Sequence, residues 1–314
     1  MLPAHVMLLQ NTGGWVMFLQ DYEPKWAEVG GVRTRYFEAG EGPPLVLIHG
    51  GQVGDHAGGE SAQDWDLNFT ALAKRFRVIA IDRLGQGFTD LPLCDEDYTM
   101  AASVKHVAGL LTQLGLGPYH LVGHSRGGYV SSRIALDYPW LAASCIVIDS
   151  ASAAPGEGRN DVVFACNPHA PHTLESSRYV YEHYSYAKEN VTDDWLAMKQ
   201  TINDLPKNHV ATQKMLEEGQ LASRFLPRLV DDRDDMYRKI EGDGFRRPVL
   251  LIWGYNDPTA PLAMGLRYYH MIAQKQPRTS LHIFNQAGHF SFRERAEEFN
   301  RVVSAFVLGV AHGE

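Results

Sequence analysis

"HLVGHSRGGYV", residues 120–130, runs four mostly apolar residues into Gly-His-Ser-Arg-Gly-Gly, and helix-forming sequence follows at once. The first part reads as a buried strand and the last as a helix start, with Ser125 on the turn between them. A serine aimed out of so tight a turn sits in strained backbone geometry. Side chains two positions away on either side would collide, so glycine fills positions 123 and 127. The pattern is G-x-S-x-G in the strand-turn-helix context that it requires.

Outward from this point, short apolar runs bounded by turn residues alternate with segments of helical period. "GPPLVLIHGG" predicts a strand ending at His49, "RFRVIAIDRLGQG" one ending near Asp82, and "ASCIVIDSAS" one ending near Asp149. "RRPVLLIWGYND" predicts a strand ending near Asp257, and "TSLHIFNQAGH" one ending near His289. Continuous apolar strands of this kind are buried on both faces, as in a parallel sheet covered by helices. Helices are expected over 99–114, 127–138, 261–275 and 296–308, and an antiparallel hairpin turning at Gly30-Gly31 precedes the first parallel strand. The fold class is a doubly wound, mostly parallel α/β sheet.

The rhythm breaks from Pro155 to about Gly244, where helix formers, His, Tyr and acidic residues replace strand runs. This predicts a core made of residues 1–154 and 245–314, with a helical cap of residues 155–244 over the sheet's carboxyl edge. "TLESSRYVYEHYS", "TDDWLAMKQTI" and "NHVATQKMLEEGQLASRFL" read as amphipathic cap helices, and the first two begin at Thr caps.

The chain has 314 residues, 45% hydrophobic and 21% charged, with a net charge of -8. Such a length suits one large α/β domain. No Lys/Arg stripe is present, which argues against a nucleic-acid partner; "DDRDDMYRK" from Asp231 is mixed in sign and reads as a solvated helix face. Cys94, Cys145 and Cys166 are odd in number and form no CxxC pair, which fits a reducing compartment. The apolar N-terminus lacks a basic residue before Lys25 and is interrupted by Pro3, Asn11 and Gly13-Gly14, so neither a signal peptide nor a membrane span is expected. It reads as an arm packed on the domain or on a second subunit, with a homodimer as the corresponding assembly. The expected location is cytoplasmic.

A serine hydroxyl becomes a nucleophile when a base takes its proton, and an acid must hold that base. Asp257 and His289 follow two later strands and belong to the same sheet edge as Ser125, in the chain order Ser, Asp, His. Asp149, also at a strand end, is a rival acid; "WGYNDPTAP" has the stronger loop character. "LIHGGQVG" leaves the first long strand where backbone N–H groups of His49-Gly50-Gly51-Gln52 could face an oxyanion, with Arg126 adding its own from the helix start. Each such donor lowers the barrier by roughly 3 kcal/mol.

These residues resemble the α/β-hydrolase superfamily over almost the whole chain, and within it the meta-cleavage product hydrolases. The resembling pieces are "GGVRTRYFEAGEGPPLVLIHGG", "NFTALAKRFRVIAIDRLGQGFTD", "PVLLIWGYNDPTAPL", "FNQAGHFSFRERAEEFNRVV" and the cap stretch "TLESSRYVYEHYSYAKENVTDDWLAMK". The resemblance implies Ser125 as nucleophile, His289 as base and acid, and Asp257 as the residue orienting it. It implies Gly51 and Arg126 as the two oxyanion-hole amides, with Gln52 a further candidate. The implied reaction splits a carbon–carbon bond in a ring-opened dienoate: ketonisation of the dienol, attack at the ketone, and loss of a stabilised dienolate. It needs no metal and no cofactor. The substrate is an aromatic-derived acid, so a cation should hold its carboxylate; Lys199 stands where the family carries a cap arginine, and Arg178 is a second candidate. Lys cannot make the bidentate fork of Arg. His124 and Phe290 are expected to line the acyl side. His124 departs from the family's Asn and is common in esterases and lactonases, Gln52 breaks the usual third glycine, and "QVGDHAGGESAQDW" is longer than expected. The alternative is therefore an esterase or lactonase with the same triad. A catalytically silent binding protein is a third reading, opposed by the complete set of Ser, Asp, His and oxyanion glycines.

Overall fold

In this computed structural model the described residues are 19–55 and 57–311. The expected N-terminal arm falls, up to residue 18, outside them.

The strands are β1 (Lys25–Val29), β2 (Val32–Ala39), β3 (Pro44–Ile48), β4 (Arg77–Ile81), β5 (Tyr119–His124), β6 (Ala142–Ile148), β7 (Val249–Gly254) and β8 (Thr279–Phe284). They form one eight-stranded sheet in the order β1-β2-β4-β3-β5-β6-β7-β8. Strands β3 to β8 run parallel, and the β1–β2 hairpin joins antiparallel at the β4 side. All residues of β5 and β7 are buried, whereas β8, at the sheet edge, is half-exposed. That contrast is the continuous-run pattern of central strands giving way to a mixed one where a face meets water.

Core helices are α1 (Asp66–Ala73), α2 (Met100–Leu114) and α3 (Arg126–Asp137); between β6 and β7 come α4 (Asn160–Ala165), α5 (Leu174–Tyr184), α6 (Asp193–Asn203), α7 (Pro206–Thr212) and α8 (Leu226–Gly242). After β7 follow α9 (Leu262–Ala273), α10 (Ser291–Glu294) and α11 (Ala296–Ala311). Thr99, Thr173 and Thr192 each accept a hydrogen bond from the amide three residues on, satisfying a first-turn N–H of α2, α5 and α6.

One expectation differs. "NHVATQKMLEEGQLASRFL" is not a single helix: α7 passes into a π-turn at Gln213–Glu217, breaks at Gly219 (φ 74°), and resumes through a second π-turn at Leu221–Phe225 into α8. A left-handed residue cannot continue a right-handed helix. The break turns Leu216, Leu221 and Leu226 toward the cavity described next.

Two apolar clusters flank the sheet, one with α2, α3, α8 and α9, the other with α1, α11 and the cap helices α5 and α6. Among the described residues no helix is long and apolar enough to cross a membrane.

Candidate active site

The carboxyl ends of β3, β5, β7 and β8 open into a cavity of about 320 Å³ roofed by α4, α5 and the broken α7–α8 segment. Ser125 lies at its floor with φ 51° and ψ −121°, and its amide donates to Ile148 O at 2.8 Å. Holding a non-glycine residue there costs on the order of 1–3 kcal/mol, borne by the ladder on either side. The flanking glycines are sterically required: a Cβ at Gly123 would stand 2.1 Å from Gly127 O, and one at Gly127 2.1 Å from Ile48 O.

His289 leaves the loop after β8, and its ring Nδ1 donates to Asp257 Oδ2 at 2.8 Å. The Asp257 side chain is fully buried. Its other oxygen accepts from the amides of Thr259 and Ala260 at 2.8 Å and from the Thr259 hydroxyl at 2.9 Å. With Nδ1 carrying the proton, Nε2 is the bare nitrogen available to take one. Ser125 and His289 line the same cavity. Asp149, the rival acid, points elsewhere: it accepts from Gly254 N at 2.7 Å and from the Ser291 hydroxyl. Burial, then the charge of Asp257, pushes its carboxyl far above the usual range, while the bonds from Ser291 and Gly254 act the other way.

Gly51 (φ 71°) and Arg126 line the cavity beside Ser125. Among the described residues neither backbone N–H donates to a protein acceptor, which leaves both for an oxyanion. The loop carrying Gly51 is clamped by Arg83, which donates to Gly50 O at 2.6 Å and to Gly51 O. Gln52 lines the cavity too, and its Oε1 has no hydrogen-bond partner among the described residues.

His124 and Phe290 both reach the cavity. His124 Nε2 donates to His289 O at 2.8 Å, and burial, followed by His289, pushes its pKa well below the usual histidine value. It is therefore a neutral strut under the His289 loop. Phe290 packs edge-on against Trp195 of α6, centroids 5.1 Å apart. The cap is tied to the same loop, since His289 N donates to Tyr184 O at 2.8 Å.

The expected substrate cations are placed differently. Lys199 is fully buried, pairs with Asp64, and donates to Gly59 O at 3.4 Å; it is absent from the cavity lining. Arg178 lies on the outer face of α5, bonded to Asp193 at 2.6 Å, so the structure does not bring it to the cavity. The positive group that lines the cavity is the Arg126 guanidinium, stacked 5.1 Å from the Phe225 ring. Among the described residues it makes no ion pair or side-chain hydrogen bond. Burial lowers its pKa, and Asp55, Tyr184 and Glu60 act in the opposite direction. Sequence reasoning treated Arg126 as a backbone donor only, and it missed the carboxylates Asp55 and Glu60 that face the cavity; the unusual length of the loop was their one signal. No group of three or more His, Cys, Asp or Glu among the described residues is arranged to hold a metal ion.

The profile of the alpha/beta hydrolase fold matches residues 43–296, and the chain belongs to that family. Within the family it is similar to meta-cleavage product hydrolases. It is 28% identical over 280 residues to a 2-hydroxy-6-oxo-2,4-heptadienoate hydrolase of Pseudomonas putida, covering 88% of this chain and 94% of that one. A meta-cleavage product hydrolase from Pseudomonas fluorescens superposes with a TM-score of 0.75 at 28% identity, over 92% of this chain and 98% of that chain. A dihydrolipoyllysine-residue acetyltransferase component of an acetoin cleaving system, also from Pseudomonas putida, is 31% identical over 90% of this chain and 69% of its own length.

Proposed function

We propose that the protein is a serine-dependent hydrolase that cleaves a carbon–carbon bond in a ring-fission product of the 2-hydroxy-6-oxo-hexa-2,4-dienoate type. The dienol first ketonises, its hydroxyl proton passing to the carbon beside the 6-ketone. Ser125 then attacks the ketone carbon while His289 takes its proton, Asp257 holds the imidazole, and the amides of Gly51 and Arg126 receive the oxyanion. Carbon–carbon cleavage expels a dienolate, which takes up a proton, and water then releases the acyl group from Ser125. The substrate's own conjugation accepts the electron pair, so the residues need only protonate and position.

The observation that carries this reading is the Arg126 side chain, which lines the cavity beside Ser125 and makes no ion pair among the described residues, although Asp55 and Glu60 line the same cavity and act on it. A substrate carboxylate would find its fork there, and the names of the relatives supply the chemistry. The test follows the loss of dienolate absorbance with a panel of ring-fission products, beside a neutral p-nitrophenyl ester. Arg126→Met keeps the backbone N–H and removes only the charged head. It should raise KM for the dienoate about 10- to 100-fold, as for a lost charge-assisted bond, and change ester turnover far less. Equal effects on both substrates would remove the carboxylate role.

A second reading, ester or lactone hydrolysis with the same serine, rests on the charges around Arg126 and Lys199. Asp55 and Glu60 act on Arg126, and Asp64 pairs with Lys199, so a neutral substrate also suits the cavity. Ser125-dependent ester cleavage with no bleaching of any dienoate would establish it instead.

A further inference from the structure

Glu60 is a cavity residue that neither the candidate triad nor the oxyanion amides use. It follows Gly58-Gly59 in the loop after β3 and lines the cavity. Its carboxyl lies against the oxyanion loop: a Cβ added to Gly51 would meet Glu60 Oε2 at 2.4 Å, and one added to Gly58 would meet it at 2.0 Å. The Tyr181 hydroxyl of α5 is within donating distance of two acceptors, Gly58 O at 2.7 Å and the other carboxyl oxygen, Glu60 Oε1, at 3.0 Å, so the shorter contact takes its proton first.

A phenol carries one proton, and a carbonyl oxygen can only accept. With the tyrosine proton committed to Gly58, the contact with Glu60 is completed by a proton on the carboxyl. The surrounding charges agree. Asp55 faces Glu60 from the same loop and Asp64 from the turn after it; Lys199 of α6 faces it too but is already paired with Asp64. Arg126 of α3, Arg83 after β4 and the Tyr184 hydroxyl of α5 complete the shell. Burial first, then the charge of Asp55, pushes the Glu60 carboxyl up to about 7.

We propose that Glu60 is a positioning residue that works as the neutral acid, holding the oxyanion loop to Tyr181 and keeping its own carboxyl uncharged beside Gly51. Its ionisation places a negative charge beside Gly51, against the oxyanion that forms there. The proton stays on Glu60 through the reaction; no bond is made or broken at it. The inference rests on the reading of Gly51 as an oxyanion donor to an adduct of Ser125.

The experiment uses the full chain and a neutral p-nitrophenyl ester, with kcat/KM measured from pH 6 to pH 9 for wild type and Glu60→Gln. The ester carries no carboxylate, so repulsion of an anionic substrate cannot mimic the effect. Wild-type kcat/KM should fall at least about tenfold between pH 7 and pH 9, as expected when one protonation state is active. Glu60→Gln, permanently uncharged, should lose that fall. An infrared difference spectrum between the two proteins at pH 6 should show a neutral carboxyl band belonging to Glu60, independent of turnover. A fall retained in Glu60→Gln, no fall in wild type, or no such band would overturn the proposal. If Glu60→Gln does not fold, Tyr181→Phe replaces it. Removing the partner of the neutral acid should move the fall to lower pH, and an unmoved profile would overturn the proposal. Labelling of Ser125 by a phosphonate separates the two levels: without labelling the serine reading fails and takes this inference with it, whereas labelling with an unchanged profile sinks Glu60 alone.

Discussion

The two walls of the cavity are built by different means. Ser125, Asp257 and His289 follow strands β5, β7 and β8, and the parallel ladder fixes where each one emerges. The facing wall, from Gly51 to Asp64 and across to α5 and α6, is set by compensation between groups distant in sequence. There Asp64 meets Lys199, Glu60 meets Tyr181, and Arg83 clamps the Gly50 and Gly51 carbonyls. Backbone pairing places the candidate triad, whereas contacts between side chains distant in sequence set the wall that faces it. Changes on the first wall should therefore abolish chemistry at little cost in stability, and changes on the second should do the reverse or alter selectivity.

The largest effect expected is that of Ser125→Ala, which should lower kcat by about 10⁵- to 10⁶-fold on any substrate, with an unfolding midpoint close to wild type. Single-turnover product formation by the variant at more than about a thousandth of the wild-type rate would break the comparison at its strongest point. Next comes the choice of acid. Asp257→Asn should cost about 10⁴-fold in kcat, because the amide can favour the wrong imidazole tautomer. Asp149→Asn changes a side chain that bonds Gly254 N and Ser291 rather than His289, and should cost less than about tenfold. If the two variants fell equally, Asp149 would share the orienting role.

This division also decides what was legible in the sequence. The strand runs, the elbow glycines and the strand ends that carry Asp257 and His289 are local patterns, and each can be read without knowledge of its neighbours. The Thr caps of α5 and α6 were legible for the same reason. Lys199 was not. Its position about two turns along an amphipathic helix gives its face, but whether that face holds a carboxylate depends on Asp64, 135 positions earlier by number. Arg126 was read through its backbone because the motif fixes that amide, while its side chain's direction depends on Phe225 at the far end of the cap. Glu60 has no periodic pattern at all, only the surplus length of its loop.

The Asp64–Lys199 pair offers a smaller but sharper test of the second wall. Lys199→Met leaves a buried carboxylate without its partner and should destabilise the fold by about 3–5 kcal/mol, read as a lower denaturant midpoint. Adding Asp64→Leu should return most of that loss, since a well-packed apolar pair is close to neutral relative to the buried ion pair. A Lys199→Met protein with unchanged stability and a raised KM for an acidic substrate would instead make Lys199 a substrate cation. Full recovery of stability in the double variant, with dienoate KM unaltered, would assign the pair to architecture alone.

The smallest effect is expected at Gly219, where the cap helix breaks. A Cβ there would meet nothing within 4 Å, so the cost of Gly219→Ala is only that of holding φ 74°. That cost is about 1 kcal/mol. At Gly127 the same added methyl would collide with Ile48 O at 2.1 Å and displace the elbow itself. The same substitution thus separates the elbow from the roof of the cavity: alanine at 127 should abolish turnover, and alanine at 219 should lower the unfolding midpoint slightly. Any change in kcat/KM at 219 should grow with substrate size, because the break delivers Leu216 and Leu221 to the cavity. An effect on kcat equal for the smallest ester and the bulkiest dienoate would mean that the cap reaches the reacting atoms, not only the substrate's flank.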